Sequence, residues 1–253
     1  MNRRLLASPF VKTMLAKLVY GKKLSIVPAR LKHRWPQRMF LKSFLDGLRI
    51  DCVVDVGANE GQYASELRRI GYKGLILSFE PDPAVFERLR ERTNADPRWL
   101  AFNVALGINS NPASFNIMNV SLFNSFRKPS EKQTSHYQGA NKIYKTITVK
   151  VERLDEIFSA LKNEHRFNRV FLKMDTQGYD TQVFRGAERI HSEIWGLQSE
   201  VPIQKIYEDM EDWADQIDIY RACGYEIAGM YAVNPGEPTV FELDVYFRRS
   251  KAD

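Results

Sequence analysis

Four carboxylates stand where chemistry is possible. Asp55 closes a short apolar run, Cys52-Val53-Val54, and Glu80 ends the run "LILSF". Asp175 and Glu200 follow "RVFLKM" and "IWGLQS" in the same way. In an open α/β sheet the ligand crevice lies beyond the carboxyl ends of the strands, so acids at such positions point into it. There an ionised carboxylate accepts hydrogens from hydroxyl or ammonium groups, and with a suitable pKa it serves as a general base.

The stretch "DVGANEG", residues 55–61, joins the first run to the helix-like "QYASELRRIG". It has the outline of a dinucleotide fingerprint without the spacing. G-x-G-x-x-G needs its second glycine where this chain has Asn59, so that the backbone can approach a pyrophosphate. The Asn59 side chain would crowd such a group, and Glu60 at the helix N-terminus would repel it. S-adenosylmethionine carries no phosphate, only a sulfonium and an amino-acid tail, and acids and amides around a glycine turn suit it. In that reading Asp55 accepts from the ammonium group, Gly57 gives backbone clearance, and Glu80 accepts from both ribose hydroxyls. Asn103, at the end of the third apolar run, is assigned to the same cofactor shell.

The elements that must position these groups alternate between strand and helix, the pattern of a mainly parallel sheet covered on both faces. Strands are expected over 51–56, "LILSFEP", "WLAFNVAL", "TITVKV", "RVFLKMD" and "IWGLQSEV". A helix carries Tyr63, Leu67 and Ile70 at helical spacing and stops at Gly71. The next has Asp82 as N-cap and Pro83 at its first position. "TQGYDTQVFRGAERI" reads as one helix with Val183, Phe184, Ala187 and Ile190 on one face. A long one carries Ile206, Met210, Trp213, Ile217 and Tyr220, with Trp213 and Tyr220 expected in the core, and stops at Gly224. "YEIAGMYAV" and "TVFELDVYF" close the chain as a strand pair around Asn234-Pro235-Gly236. Between Gly107 and Asn141 the sequence is polar and reads as irregular.

At 253 residues the chain suffices for one large core. Two cysteines without C-x-x-C spacing argue against a disulfide framework and for a reducing cytoplasm. No His/Asp/Glu spacing commits to a metal. No run of about 18 apolar residues could span a membrane. The net charge of +6 is uneven: residues 1–50 hold twelve Lys and Arg against Asp46 alone, and the remainder has 25 against 30 acids. A basic helical segment over 1–48 is therefore expected ahead of a catalytic domain over 49–253. Two readings of it stay open: residues 1–45 dock on an anionic surface such as the inner face of a membrane, or they form a helical lid or dimer contact with no anionic partner. Nucleic acid is disfavoured, because the basic residues are confined to one end.

The motifs "VVDVGANEGQYASELR", "SFEPDP", "VKVERLDEIF" and "FLKMDTQGYDTQVFRGA" resemble the FkbM-type S-adenosylmethionine-dependent methyltransferases, from about residue 50 to about 200. The resemblance implies the class I methyltransferase fold, Rossmann-like, with a seven-stranded mainly parallel sheet, one antiparallel strand and helices on both faces. It also implies methyl transfer to a hydroxyl of a sugar, glycolipid or natural product. Carried over by motif, Asp55, Gly57, Asn59, Gly61 and Glu80 are cofactor contacts, and Asp175 sits where the fourth strand meets the active site. The chain departs from the family at Asp180, where a glutamate is usual, and at Arg153, where threonine is usual and only packing is expected to change.

Holding the acceptor oxygen near the methyl carbon supplies much of the rate in such a displacement. Asp175 and Glu200 are the candidate bases. Asn124 and Ser125 in the polar insert, with Gln177, are candidate acceptor contacts. Lys173 shares the face of Asp175 as its charge partner, while His136 and His165 read as surface residues. Two other functions stay open on the residues alone: an NAD-dependent oxidoreductase or epimerase, and a non-catalytic cofactor-binding protein docked to an anionic partner.

Overall fold

The computed structural model describes residues 35–130, 137–233 and 239–250. Most of the basic segment, His136 and the expected turn at Asn234-Pro235-Gly236 lie outside the described residues. Helix α1 spans Trp35–Leu48, and from Phe40 onward the chain forms one compact unit.

Three apolar pentapeptides form the centre of the sheet: β1 (Cys52–Val56), β2 (Leu75–Phe79) and β8 (Val170–Met174). Every residue in them is buried, polar ones included. A parallel sheet covered on both faces removes the reason for apolar and polar residues to alternate. β3 (Trp99–Phe102) flanks β2, and β9 (Ile194–Pro202) flanks β8. β10 (Tyr225–Ala232) and β11 (Glu242–Arg249) complete a seven-stranded sheet of order β10-β11-β9-β8-β1-β2-β3. β11 alone runs antiparallel, to both β9 and β10. The strand order reverses between β1 and β8, and the crevice opens at their carboxyl ends.

On one face, α1 from Phe40 onward, α2 (Gln62–Arg69) and α3 (Pro83–Thr93) bury Leu41, Leu45, Ala64, Leu67 and Leu89. On the other, α4 (Leu154–His165), α5 (Asp180–Arg185) and α6 (Trp213–Ala222) bury Phe158, Phe184, Ile217 and Tyr220. The α3 start is as expected: Asp82 accepts from the Ala84 N–H, and Pro83 opens the helix. The compact unit starts nine residues before the boundary expected at 48/49. Phe40 and Phe44 stack on one another, and Phe40 packs edge-on against Tyr246, as Phe44 does against Phe171.

Four expected elements differ. "WLAFNVAL" splits after Phe102, where the Asn103 amide donates to the Glu80 and Pro81 carbonyls. Its remainder forms β4 (Ala105–Leu106), paired with β7 (Val151–Glu152) in a separate sheet. The insert read as irregular contains β5 (Ala113–Met118), antiparallel to β6 (Ile143–Val149). Phe115 and Ile117 carry a period-two signal there and build a small core with Val149 and Val151. The single helix expected from Thr176 starts only at Asp180 and ends at Gly186, where any Cβ would sit 2.0 Å from the Gly107 carbonyl oxygen. A 3-10 turn over Glu188–Glu193 follows. The long helix expected from Ile206 starts at Trp213, capped by Asp212. Ile206 and Met210 lie in the preceding loop, and Trp213 is 43% exposed rather than core.

Arg153 does more than pack. It forks onto the Asp155 carboxylate, with 3.0 and 2.7 Å bonds, and donates to the Ile108 carbonyl at 2.6 Å. Together with Arg189 it holds the Asp155 carboxyl below the usual range despite its burial. The insert is thereby fastened to the start of α4. Among the described residues no helix is long and apolar enough to cross a membrane.

Because residues 40–48 belong to the core, Leu45→Ala should cost about 2–5 kcal/mol. Urea denaturation of the variant checks this, and a loss within about 0.5 kcal/mol would place the helix outside the core.

Candidate active site

A buried polar row crosses the middle of the sheet. Ser78, Asp55, Lys173 and Gln198 are direct neighbours on β2, β1, β8 and β9. The Lys173 ammonium lies 3.0 Å from Asp55 Oδ1 and 3.6 Å from Asp175 Oδ2. It also donates to the Gly57 carbonyl at 3.3 Å and sits over the Tyr63 ring. Burial alone would depress its pKa, but the Asp55 and Asp175 carboxylates raise it overall. Ser78 donates to Asp55 and receives the Trp99 indole N–H. Tyr63 donates to Gln198, which donates to Asp244 on β11. Lys173 is thus the charge partner expected, for two acids at once. Asp55, by contrast, has no exposed surface to offer an ammonium group.

The glycine turn is organised from within. The Gly57 and Ala58 N–H groups donate to the Phe79 carbonyl, Asn59 N–H to Glu80 Oε2, Glu60 N–H to Asn59 Oδ1, and Gly61 N–H to the Ala58 carbonyl. Every N–H from 57 to 61 is therefore engaged by the turn itself or by Phe79 and Glu80. Asn59 takes a left-handed φ of 47°, and its amide reaches the Ser121 hydroxyl of the insert. Glu60 is neutralised by Arg88 and Arg92, so it does not repel an anion as expected. The two glycines serve packing more than clearance. A Cβ on Gly57 would lie 2.0 Å from the Asp175 carbonyl oxygen, and one on Gly61 would strike Trp99 and Leu89.

Glu80 accepts from the backbone N–H groups of Asn59 and Asp82, both at 2.9 Å, one on each carboxylate oxygen. Each oxygen keeps a lone pair for a diol. Burial pushes this carboxyl up to about 7, against the pull of the two N–H bonds. Asn103 does not extend toward a ligand but holds the Glu80 carbonyl.

At the ends of β8 and β9 the expected acids meet. The Gln177 amide nitrogen donates to Asp175 Oδ1 at 3.2 Å and to Glu200 Oε2 at 2.9 Å, and its oxygen accepts from the Tyr207 hydroxyl at 2.8 Å. With both amide hydrogens given to the acids, Gln177 is a bridge between them. Asp175 is 42% exposed at its side chain, and Glu200 is half-buried. Burial, then Glu242, Asp175, Asp244 and Asp180, push Glu200 well above the carboxylate range. Burial first, then Asp175 and Asp244, push Glu242 up to about 8, while a hydrogen bond with Glu200 pulls the other way. Asp180 gains a definite role: one oxygen accepts from Thr176 N–H and hydroxyl, the other from the Ser199 hydroxyl and Glu200 N–H. It clamps the Asp175 loop to β9.

Asn124 and Ser125 fasten the insert to this loop cluster. Asn124 accepts from Met118 N–H and donates to Asp82, and Ser125 donates to the Gln177 carbonyl at 2.7 Å. Both are buried with their polar atoms engaged, so neither presents itself to an acceptor. His165 lies at the C-terminal end of α4 beside Glu164, ahead of β8 and away from the crevice end. Sequence reading missed Glu242 and Tyr207. The alternation Glu242-Leu243-Asp244 could have placed two acids on one face of β11, but Tyr207 lies in a loop that reads as helix.

The Glu200–Glu242 pair gives stability a pH dependence of definite sign. Glu242 is raised in the folded state, so the folded protein binds its proton more tightly than the unfolded chain does. Its contribution is fully present below about pH 4.5 and is lost as pH rises toward 8. Denaturation midpoints should fall over that window by an amount worth a few kcal/mol, and Glu242→Gln should flatten the fall. An identical profile in the variant would contradict the assignment.

The acceptors around the turn fit S-adenosylmethionine: each oxygen of the Glu80 carboxylate keeps a lone pair for a diol. The model of the Methyltransferase FkbM domain matches residues 55–227. The 2-O-methyltransferase NoeI of Sinorhizobium fredii (strain NBRC 101917 / NGR234) is 25% identical over 206 residues, 79% of this chain and 79% of its own. Among solved structures, the apo form of the S-adenosylmethionine-dependent methyltransferase SibL aligns with a TM-score of 0.45 and 14% identity, over 98% of this chain and 61% of its own. Magnesium protoporphyrin IX methyltransferase (ChlM) from Synechocystis PCC 6803 with bound S-adenosylmethionine gives 0.44 and 12%, over 98% and 95%. The strand order, with β11 reversed beside the edge, is that of the class I methyltransferase fold. The oxidoreductase and non-catalytic alternatives fall away. Matched from the glycine turn into the tenth strand, the chain belongs to the FkbM family of S-adenosylmethionine-dependent methyltransferases.

Proposed function

We propose that the enzyme methylates a hydroxyl group of a sugar, glycan, glycolipid or hydroxylated natural product, with Asp175 as the base. The observation that carries this reading is the contrast between two bridged acids. The Asp175 side chain is 42% exposed, whereas Glu200 is half-buried and burial with the surrounding acids pushes its carboxyl up. A general base needs an accessible lone pair within reach of the proton it takes. Glu200, its carboxyl pushed up by burial and then by Glu242, serves instead as a fixed partner for Gln177. The 2-O-methyltransferase activity in the name of NoeI supports a hydroxyl acceptor.

When bound, S-adenosylmethionine supplies an electrophilic methyl group on a cationic sulfur. The chain's own residues do the rest. Glu80 receives the ribose hydroxyls on the lone pairs left free by Asn59 and Asp82. Lys173 and Gln177 hold the two oxygens of Asp175 from opposite sides, so that the carboxylate faces the acceptor in one orientation. The insert, tied to Asn59 by Ser121 and to Gln177 by Ser125, spans both halves of the crevice. Desolvation by such a cover strengthens electrostatic contacts inside.

Glu80→Ala should weaken binding of S-adenosylhomocysteine about 10- to 100-fold, since hydrogen bonds to a charged acceptor are worth about 1.5–3 kcal/mol. Calorimetry with this product measures it, and unchanged affinity would remove Glu80 from the cofactor site. Incubation with a panel of neutral and amino sugars, followed by mass spectrometry for one added methyl group, tests the acceptor class. Asp175→Asn should lower that turnover by about 10²–10⁴-fold while leaving S-adenosylhomocysteine affinity near normal. A collapse of affinity instead would place Asp175 in the cofactor shell.

A further inference from the structure

We infer that Tyr207 and Gln177 form a positioning relay: the Tyr207 hydroxyl fixes the Gln177 amide, and its amide nitrogen holds Asp175 and Glu200 in one geometry. The inference rests on the reading of Asp175 as base, and it adds a residue that no motif marks. Gln177 is held in an unusual backbone state. It has a left-handed φ of 54°, followed by Gly178 at 82°. A left-handed non-glycine residue costs roughly 1–2 kcal/mol, and such strain persists only where the surroundings over-determine it. Here they do. Ser125 donates to the Gln177 carbonyl, Arg127 to the Gly178 carbonyl, and the Asp180 clamp fixes Thr176 just before. The backbone therefore delivers the Gln177 side chain to one place.

The remaining freedom is rotation of the amide about its last torsion, which would exchange nitrogen for oxygen. Two carboxyl groups on one side prefer the nitrogen, and Tyr207 on the other side decides against the exchange by donating to the oxygen. Burial, followed by Glu242 and Glu200, keeps the phenol protonated and able to donate. That hydroxyl has one hydrogen and faces two acceptors, the Gln177 amide oxygen at 2.8 Å and the Phe123 carbonyl at 3.0 Å. Phe123 closes the 3-10 turn of the insert, so its carbonyl competes for that hydrogen with the nearer Gln177 oxygen. Gln177 is thus a positioning residue with no amide hydrogen left for an acceptor.

The test reads Glu200 directly and requires no methyl acceptor. Carbon-13 carboxyl signals of glutamate are titrated in the full-length protein, with the Glu200 signal identified by its loss in Glu200→Gln. The groups facing Glu200 are Asp175 and Asp180 on the loop and α5, Glu242 and Asp244 on β11, and the Tyr137 and Tyr207 phenols. Gln177→Met removes an N–H donor to the charged form and should move the Glu200 midpoint further up by about one unit. Tyr207→Phe should move it in the same direction while thermal unfolding stays cooperative. A role in packing alone would lower the melting temperature and leave the midpoint in place. Unmoved midpoints in both folded variants would overturn the relay. Asp175→Asn turnover on the sugar panel separates the two ideas: activity retained there removes the base, whereas the midpoint shifts judge the relay by themselves.

Discussion

One buried cation organises this site. Lys173 sits between the acids of two neighbouring strand ends, and removing it would leave Asp55 enclosed without a countercharge. Buried pairs of this kind often contribute little net stability, because desolvation offsets attraction, but breaking one leaves an expensive orphan. Its use here is registry. Lys173 can satisfy Asp55, Asp175 and the Gly57 carbonyl only if β1 and β8 are aligned as they are. The row continues through Ser78 and Trp99 on one side and through Tyr63, Gln198 and Asp244 on the other. A sheet whose strands are otherwise uniformly apolar thereby acquires one polar line that accepts no slip.

From that line two loops leave the sheet, and each is held by its own acids. The glycine turn uses Glu80 to gather the N–H groups of Asn59 and Asp82. The Asp175 loop uses Asp180 to gather Thr176, Ser199 and the Glu200 N–H. In both cases a carboxylate replaces regular secondary structure as the partner of the backbone. Local bonding of this kind competes with helix, which explains why α5 begins late. The crevice is accordingly acidic on both sides, suited to a cationic sulfonium.

Much of this was legible in the residues. The apolar pentapeptides, the Asp82-Pro83 helix start and the acids at strand ends gave the sheet and the crevice, because burial and capping are local properties. Asp175, Gln177 and Glu200 were singled out separately, and the structure brings them into contact. What sequence could not show is which polar groups are consumed by the protein itself. Asn103, Asn124 and Ser125 look available in one dimension, yet each is bonded to a partner 23 to 52 residues away. Tyr207 failed differently: Ile206 and Met210 have helical spacing, but both pack with Met118 of the insert from a loop. Tertiary contacts overrode the period there.

The absent side chain of Gly57 has a wider meaning. The space it leaves is filled by the backbone oxygen of Asp175, so the glycine turn rests directly on the Asp175 loop. The spacing of the two loops is consequently set by main-chain contact as well as by the Lys173 bridge, and a methyl group at position 57 would push them apart.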